Sequence, residues 1–305
     1  MSMTTLLQND HSLRQQIYPG WLFFFRINVA GFALLHFLAI QPDFADLYSY
    51  KGYIYPDIMD TTTDNISPTL VSLQAFLQRI HIPVAYEPLL LFCRIAYPLC
   101  LLMLISGLFT RLSAIASLFF QLLLIKSIHL YEYGIDGFTT FALFYCCVFP
   151  VGAVYSVDRW RTHGKHHTPD HLPWLFLLRG HLCIAYFFSG FDKVIGVTWR
   201  NGEALWKALH SHNYYSVFAL DFLVNTPFFL LAGWGTIILE MTYFVFMNMR
   251  SVRKYWLNGI ILLHLFIAFF MGLFFFSALL ILLNLSAYYA PYVKFAGVRR
   301  LQPAT

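Results

Sequence analysis

Pro88-Leu89-Leu90-Leu91-Phe92-Cys93-Arg94-Ile95-Ala96-Tyr97-Pro98-Leu99-Cys100-Leu101-Leu102-Met103-Leu104-Ile105-Ser106-Gly107 carries a single charged side chain, Arg94, in an otherwise apolar run. At about 1.5 Å per residue such a run extends about 30 Å, the depth of a bilayer's hydrocarbon core. In lipid the backbone satisfies its own N–H and C=O groups best as a helix, so the run predicts a membrane span. Comparable runs occur at 21–40, 112–128, 135–155, 173–189 and 227–249. A last apolar stretch, Leu257 to Tyr292, is too long for one crossing, and the sequence predicts two, at 257–271 and 273–290, bending near Gly272. The expected fold is all-α: a polytopic membrane helix bundle of eight spans.

Composition points the same way. The 305 residues are 59% hydrophobic and 11% charged, where a water-soluble domain is about a quarter charged. Soluble, secreted and disordered classes are excluded. The lipid bilayer is the expected partner, and the net charge of +5 bears on orientation, with no nucleic-acid partner implied.

With the N-terminus cytoplasmic, the inside segments hold Arg14, Arg111, Arg159, Arg161, Lys165, Arg250, Arg253 and Lys254, and the outside loops hold Lys51, Arg79, Arg200 and Lys207. That bias follows the positive-inside rule. Lys294, Arg299 and Arg300 join the basic side if the last stretch crosses twice, which places both termini inside. The expected organisation is a cytoplasmic tail at 1–20, a membrane domain at 21–292 and a tail at 293–305. The first apolar run is interrupted by Arg26 and shows no small-residue cleavage site, so the first helix is expected to remain. The outer loop 41–87 is acidic, Tyr-rich and broken by Pro56, Pro68 and Pro83, which suggests a cap on the membrane with a short helix around Thr69 to Arg79. The five cysteines lie in apolar runs and read as buried thiols.

Ionisable groups inside spans need partners and are functional candidates by default. They form an expected intramembrane charge network of Arg26, Arg94, Arg179 and Glu240, in which each arginine pairs with Glu240 or with helix-end carbonyls; Lys126 and Lys193 are the other basic groups. Lys193 closes a span in the run Tyr186-Phe187-Phe188-Ser189-Gly190-Phe191-Asp192-Lys193, followed by Trp199-Arg200-Asn201-Gly202. Packed among aromatics, its ammonium loses hydration and a neutral amine becomes available as a base. Snorkelling to the headgroups is the alternative. His129 and His264 can supply hydrogen bonds and proton transfer if their helices converge, or serve as structural donors, as His36 and His181 do.

The loop His163-Gly164-Lys165-His166-His167-Thr168-Pro169-Asp170-His171 clusters imidazoles, yet it promises neither fixed geometry nor an outer shell of supporting groups, and no metal is expected. No GxGxxG, Walker, GxSxG or HExxH pattern occurs.

Three stretches resemble the HTTM family, the membrane domain shared with vitamin K-dependent γ-carboxylases. They are Gly107 to Leu112 leading into a helix that ends at His129, then Phe149-Pro150 to Asp158, then the Tyr186 to Gly202 block, where the carboxylases show a Tyr-Phe, a Gly, a Lys, a Trp and a Gly at similar spacing. The resemblance implies chemistry in the outer half of the bilayer. Reduced vitamin K is oxygenated to a strong base that removes a glutamate γ-proton, and the carbanion captures CO₂. It also implies that the family's catalytic lysine falls on Lys193 and its histidines on His129 and His264, with a quinone pocket formed by Tyr186, Phe187, Gly190, Trp199, Gly202 and Tyr131. The chain is similar to a short form lacking the carboxylases' large extracytoplasmic domain, and Asp192 stands where they carry a basic residue.

The leading expectation is therefore a membrane enzyme of carboxylase or epoxidase type. It would use reduced vitamin K or menaquinone, with O₂ and CO₂ if carboxylation is retained, on a small peptide or lipid at the outer face of a bacterial inner membrane. The alternative is a non-catalytic maturation factor for a small secreted peptide or an accessory protein partner, because short HTTM proteins include one of that kind. Transport is a third reading, without inverted repeats to support it.

Overall fold

The computed structural model describes residues 17–64, 66–163, 170–210, 221–224 and 226–295. The histidine-rich loop at 164–169 and the basic residues Arg14, Lys165, Arg299 and Arg300 lie outside the described residues. Described residues form helices and turns, with no strand among them. Five helices are long and apolar enough to cross a membrane, and the chain is a multi-pass membrane protein by that measure. It divides into two compact units, Leu22–Pro169 and Met1–Trp21 with Asp170–Thr305.

In the first unit, α1 (Gly20–Ala39) is followed by three short helices of the outer loop, α2 (Phe44–Tyr48), α3 (Pro56–Thr62) and α4 (Leu70–Arg79). The short helix expected around Thr69 to Arg79 is α4, and Thr69 and Ser72 form a reciprocal capping box at its start. Then come α5 (Tyr86–Ser106), α6 (Thr110–Lys126), α7 (Gly134–Val148) and α8 (Val157–Arg161). Pro98 sits inside α5 and leaves the Arg94 carbonyl without its usual amide partner.

The α5–α6 corner shows why the motif around Gly107 is built as it is. Gly107 ends α5 at φ 71°, and a Cβ there would meet the Cβ of Ser156 at 2.5 Å, so both conformation and space demand glycine. Asp158, at the start of α8, accepts from the backbone N–H groups of Phe109 (2.8 Å) and Thr110 (2.7 Å) and from the Thr110 hydroxyl (2.7 Å). These are orphan donors at the head of α6, and a carboxylate there also answers the helix dipole. Burial pushes the Asp158 carboxyl up, but the hydrogen bonds from Thr110 and Phe109 and the nearby Arg161 outweigh it and hold the group below the usual carboxylate range.

In the second unit, α9 (Leu172–Ile195) begins with proline in its first turn, where the missing N–H costs nothing. It runs two turns past the expected end at Ser189, so Lys193 lies within the helix. The short α10 (Val197–Arg200) and α11 (Glu203–His210) follow, then α12 (Phe228–Met241), α13 (Tyr243–Phe246), α14 (Arg253–Met271) and α15 (Phe274–Tyr288). The expected continuous helix at 227–249 is instead divided at Thr242, where the Trp256 indole donates to the Leu239 carbonyl at 3.2 Å. The final apolar stretch breaks at Gly272, which takes a left-handed φ of 68° and ends α14.

Candidate functional site

The helix that carries the Tyr186 to Lys193 block builds a polar site in the second unit. Residues 186, 190 and 193 recur at about one-turn intervals and share one face of α9. At Gly190 the backbones of α9 and α12 touch: an added Cβ would lie 2.8 Å from the Met241 amide nitrogen and 3.0 Å from the Glu240 Cβ. This close approach brings Glu240 of α12 to Lys193. Lys193 Nζ donates to Glu240 Oε2 at 2.7 Å, to Ser189 Oγ at 2.7 Å and to the Ser189 carbonyl at 3.3 Å, and it lies 5.1 Å from the Trp199 ring centroid. The pair is largely buried, at 16% and 8% side-chain exposure. Asp192 is exposed and is not the facing carboxylate.

About two turns further into α9, at about 3.6 residues per turn, Tyr186 begins a second polar group. Its hydroxyl lies 2.6 Å from His264 Nε2 on α14 and accepts from the Asn284 amide of α15 at 2.8 Å. Asn284 also donates to the Leu280 carbonyl at 2.9 Å, and its oxygen accepts from the Tyr243 hydroxyl at 2.7 Å. The Tyr186 and Tyr243 rings stack with centroids 4.3 Å apart. His264 is 3% exposed, and its Nδ1 has no partner among the described residues.

The structure thus brings Lys193 together with Glu240, and Tyr186 together with His264, all in one unit. His129 belongs to the other unit, on a short 3-10 turn (His129–Tyr131), where its Nδ1 lies 3.0 Å from the Thr63 hydroxyl. Tyr131 is on the same turn and exposed. Of the expected pocket residues, Gly190 is a helix-contact glycine, and Gly202 packs its backbone against Leu230. Phe187 rests on Phe244 and Phe191.

Of the two partnerings expected for the arginines, the one with Glu240 is not made, because Glu240 takes Lys193. The arginines bind carbonyls, the expected alternative, together with an amide and aromatic rings. Arg26 is fully buried and donates to the carbonyls of Val151 (2.7 Å), Val154 (3.4 Å) and Tyr155 (2.6 Å). Arg94 donates to Gln41 at 2.8 Å and sits over the Phe44 ring. Arg179 donates to the Ala287 carbonyl at 2.9 Å and to the Tyr292 hydroxyl at 3.3 Å. Burying a guanidinium costs several kcal/mol, and for Arg26 the carbonyl dipoles of a chain turn supply hydrogen-bonded compensation. Lys126 pairs with Glu132 at 2.7 Å. No cluster of three metal-binding side chains occurs among the described residues.

Sequence reasoning named Lys193 and Glu240 separately but missed Ser189 and Asn284. Asn284 was detectable: it is an amide in the middle of an apolar stretch, 0% exposed, and a polar group there must find partners.

No protein-family model, no curated protein and no solved structure matches this chain.

Proposed function

We propose that the chain is a short HTTM-like membrane enzyme that performs acid–base chemistry at Lys193 on a small peptide or lipid, with a reduced quinone as co-substrate. The observation that carries this reading is the buried Lys193–Glu240 pair, 2.7 Å apart, on the helix that also bears the Tyr186–His264 hydrogen bond. The proposed chemistry requires that Lys193 Nζ pass a proton to Glu240 Oε2 within this pair, which would leave a neutral amine. That amine can accept a proton from a bound substrate, while Ser189 keeps it oriented. The unpaired Nδ1 of buried His264 supplies a polar group suited to a quinone oxygen. Reduced quinone with O₂ would supply the strong base that the carboxylases use, and CO₂ would enter only if carboxylation is retained.

We further propose eight spans with both termini cytoplasmic, in a bacterial inner membrane. A helix lies in each of the eight expected stretches, which supports that count, and the basic bias of the inside segments supports the orientation. Bound quinone is sought by extracting the detergent-purified protein and analysing the lipid fraction by mass spectrometry. Near-stoichiometric menaquinone is expected; protein free of quinone, and unable to bind added menaquinone, contradicts the reading.

One observation favours a second reading. Glu240, two Ser189 oxygens and the Trp199 face already occupy the Lys193 ammonium, as in a structural ion pair. A non-catalytic maturation factor for a small peptide follows from that, and it predicts stable co-purification of a peptide or accessory protein.

A further inference from the structure

The hydrogen bonds around Asn284 fix where the proton sits on His264. The Leu280 carbonyl is an acceptor with no donor form, so the Asn284 atom 2.9 Å from it is the amide nitrogen. The same nitrogen then donates to the Tyr186 oxygen at 2.8 Å. With its oxygen accepting from Asn284, the Tyr186 hydroxyl keeps its own proton free to donate, and His264 Nε2 lies 2.6 Å away. A neutral imidazole that accepts at Nε2 carries its proton on Nδ1. The opposite tautomer would leave both the Tyr186 O–H and the His264 Nδ1 lone pair unsatisfied, and Tyr186 and His264 are both buried. In the favoured arrangement the single unsatisfied group is the Nδ1–H donor.

We infer that Asn284 and Tyr186 lock His264 as its Nδ1–H tautomer, so that this residue presents a hydrogen-bond donor to an acceptor oxygen of the molecule bound in the Lys193 unit. His264 is then a recognition group and not a base, and Asn284 and Tyr186 are positioning residues. The identity of the acceptor as a quinone-type oxygen rests on the function proposed above; the tautomer does not. Tyr186 and Lys193 share a face of α9 and are separated by about 10 Å along it, at about 1.5 Å per residue.

The test is ¹⁵N NMR of histidine-labelled full-length protein in lipid nanodiscs, with the His264 signals assigned by their loss in His264→Gln. A protonated Nδ1 and an unprotonated, hydrogen-bonded Nε2 are expected in the wild type. Tyr186→Phe, which keeps the ring, and Asn284→Leu should each lose that pattern and shift the proton toward Nε2. A wild-type His264 protonated at Nε2, or a pattern unchanged in Tyr186→Phe, overturns the lock. Menadione added as a probe should shift the Nδ1–H signal. A locked tautomer with no menadione shift, in protein that still consumes oxygen with reduced quinone, overturns the contact while the proposed function stands. A locked tautomer in protein that neither binds menadione nor consumes oxygen overturns the quinone contact together with the proposed function, and leaves the lock intact.

Discussion

Gly190 and Glu240 face each other across the contact of α9 and α12, with the Glu240 Cβ 3.0 Å from where a Gly190 Cβ would stand. The missing side chain lets the carboxylate reach Lys193 one turn away. Gly190→Leu should therefore separate the helices and part the ion pair, with a loss of about 1–3 kcal/mol typical of overpacking. Thermal unfolding in detergent measures it, and an unchanged Tm would show that the contact yields freely.

The ion pair itself has a signature in a double-mutant cycle. Lys193→Met alone leaves a buried Glu240, and Glu240→Met alone leaves a buried ammonium, so each should cost about 3–5 kcal/mol. The double variant should recover most of that, because a well-packed apolar pair replaces two desolvated charges. Additive losses in chemical denaturation would mean that the two residues do not act as a pair.

Arg26 should be a stability residue of the first unit. Its guanidinium donates to three carbonyls of the turn that follows α7. Arg26→Met strands those acceptors, with an expected loss of about 2–4 kcal/mol. Lysine reaches fewer of them and should restore only part of it. Protease susceptibility around Val151 to Tyr155 reports the loosening.

Asp158→Ala removes the acceptor for the first amides of α6 and should cost about 1 kcal/mol, as capping losses do. The contribution also has a pH signature. A carboxyl held below its unfolded value stabilises above that unfolded value, and the contribution fades as pH falls through the folded value. Wild type and Asp158→Ala should thus converge in Tm only in acid.

His171, at the head of α9, predicts a second acid-linked change. Burial pushes it down from 6.5 to about 4. Between those values the unfolded chain binds a proton that the folded one refuses, so stability is full above about 6.5 and declines as pH falls toward about 4. His171→Leu should flatten that limb of the Tm-against-pH curve. A curve identical to wild type would show that the imidazole titrates freely.

The helices were legible because apolar length and Gly and Pro punctuation are local signals; α4 with its Thr69 cap and the break at Gly272 are examples. The division at Thr242 was not, because it depends on an indole from another helix, Trp256. The candidate site was legible in its parts. Lys193, Glu240, Tyr186 and His264 each stood out as polar groups in apolar runs, but their pairing depends on helix contacts, and the choice of Lys193 over an arginine as the partner of Glu240 follows from the absent Cβ at Gly190.

Lys193→Arg tests the central claim most directly. Arginine can keep the ion pair with Glu240, yet its guanidinium stays protonated and cannot serve as a base. Oxygen uptake with reduced menaquinone, followed in nanodiscs, should be present in the wild type and lost in folded Lys193→Arg protein. Uptake retained in that variant would contradict a lysine base and leave the Lys193–Glu240 pair as a structural one.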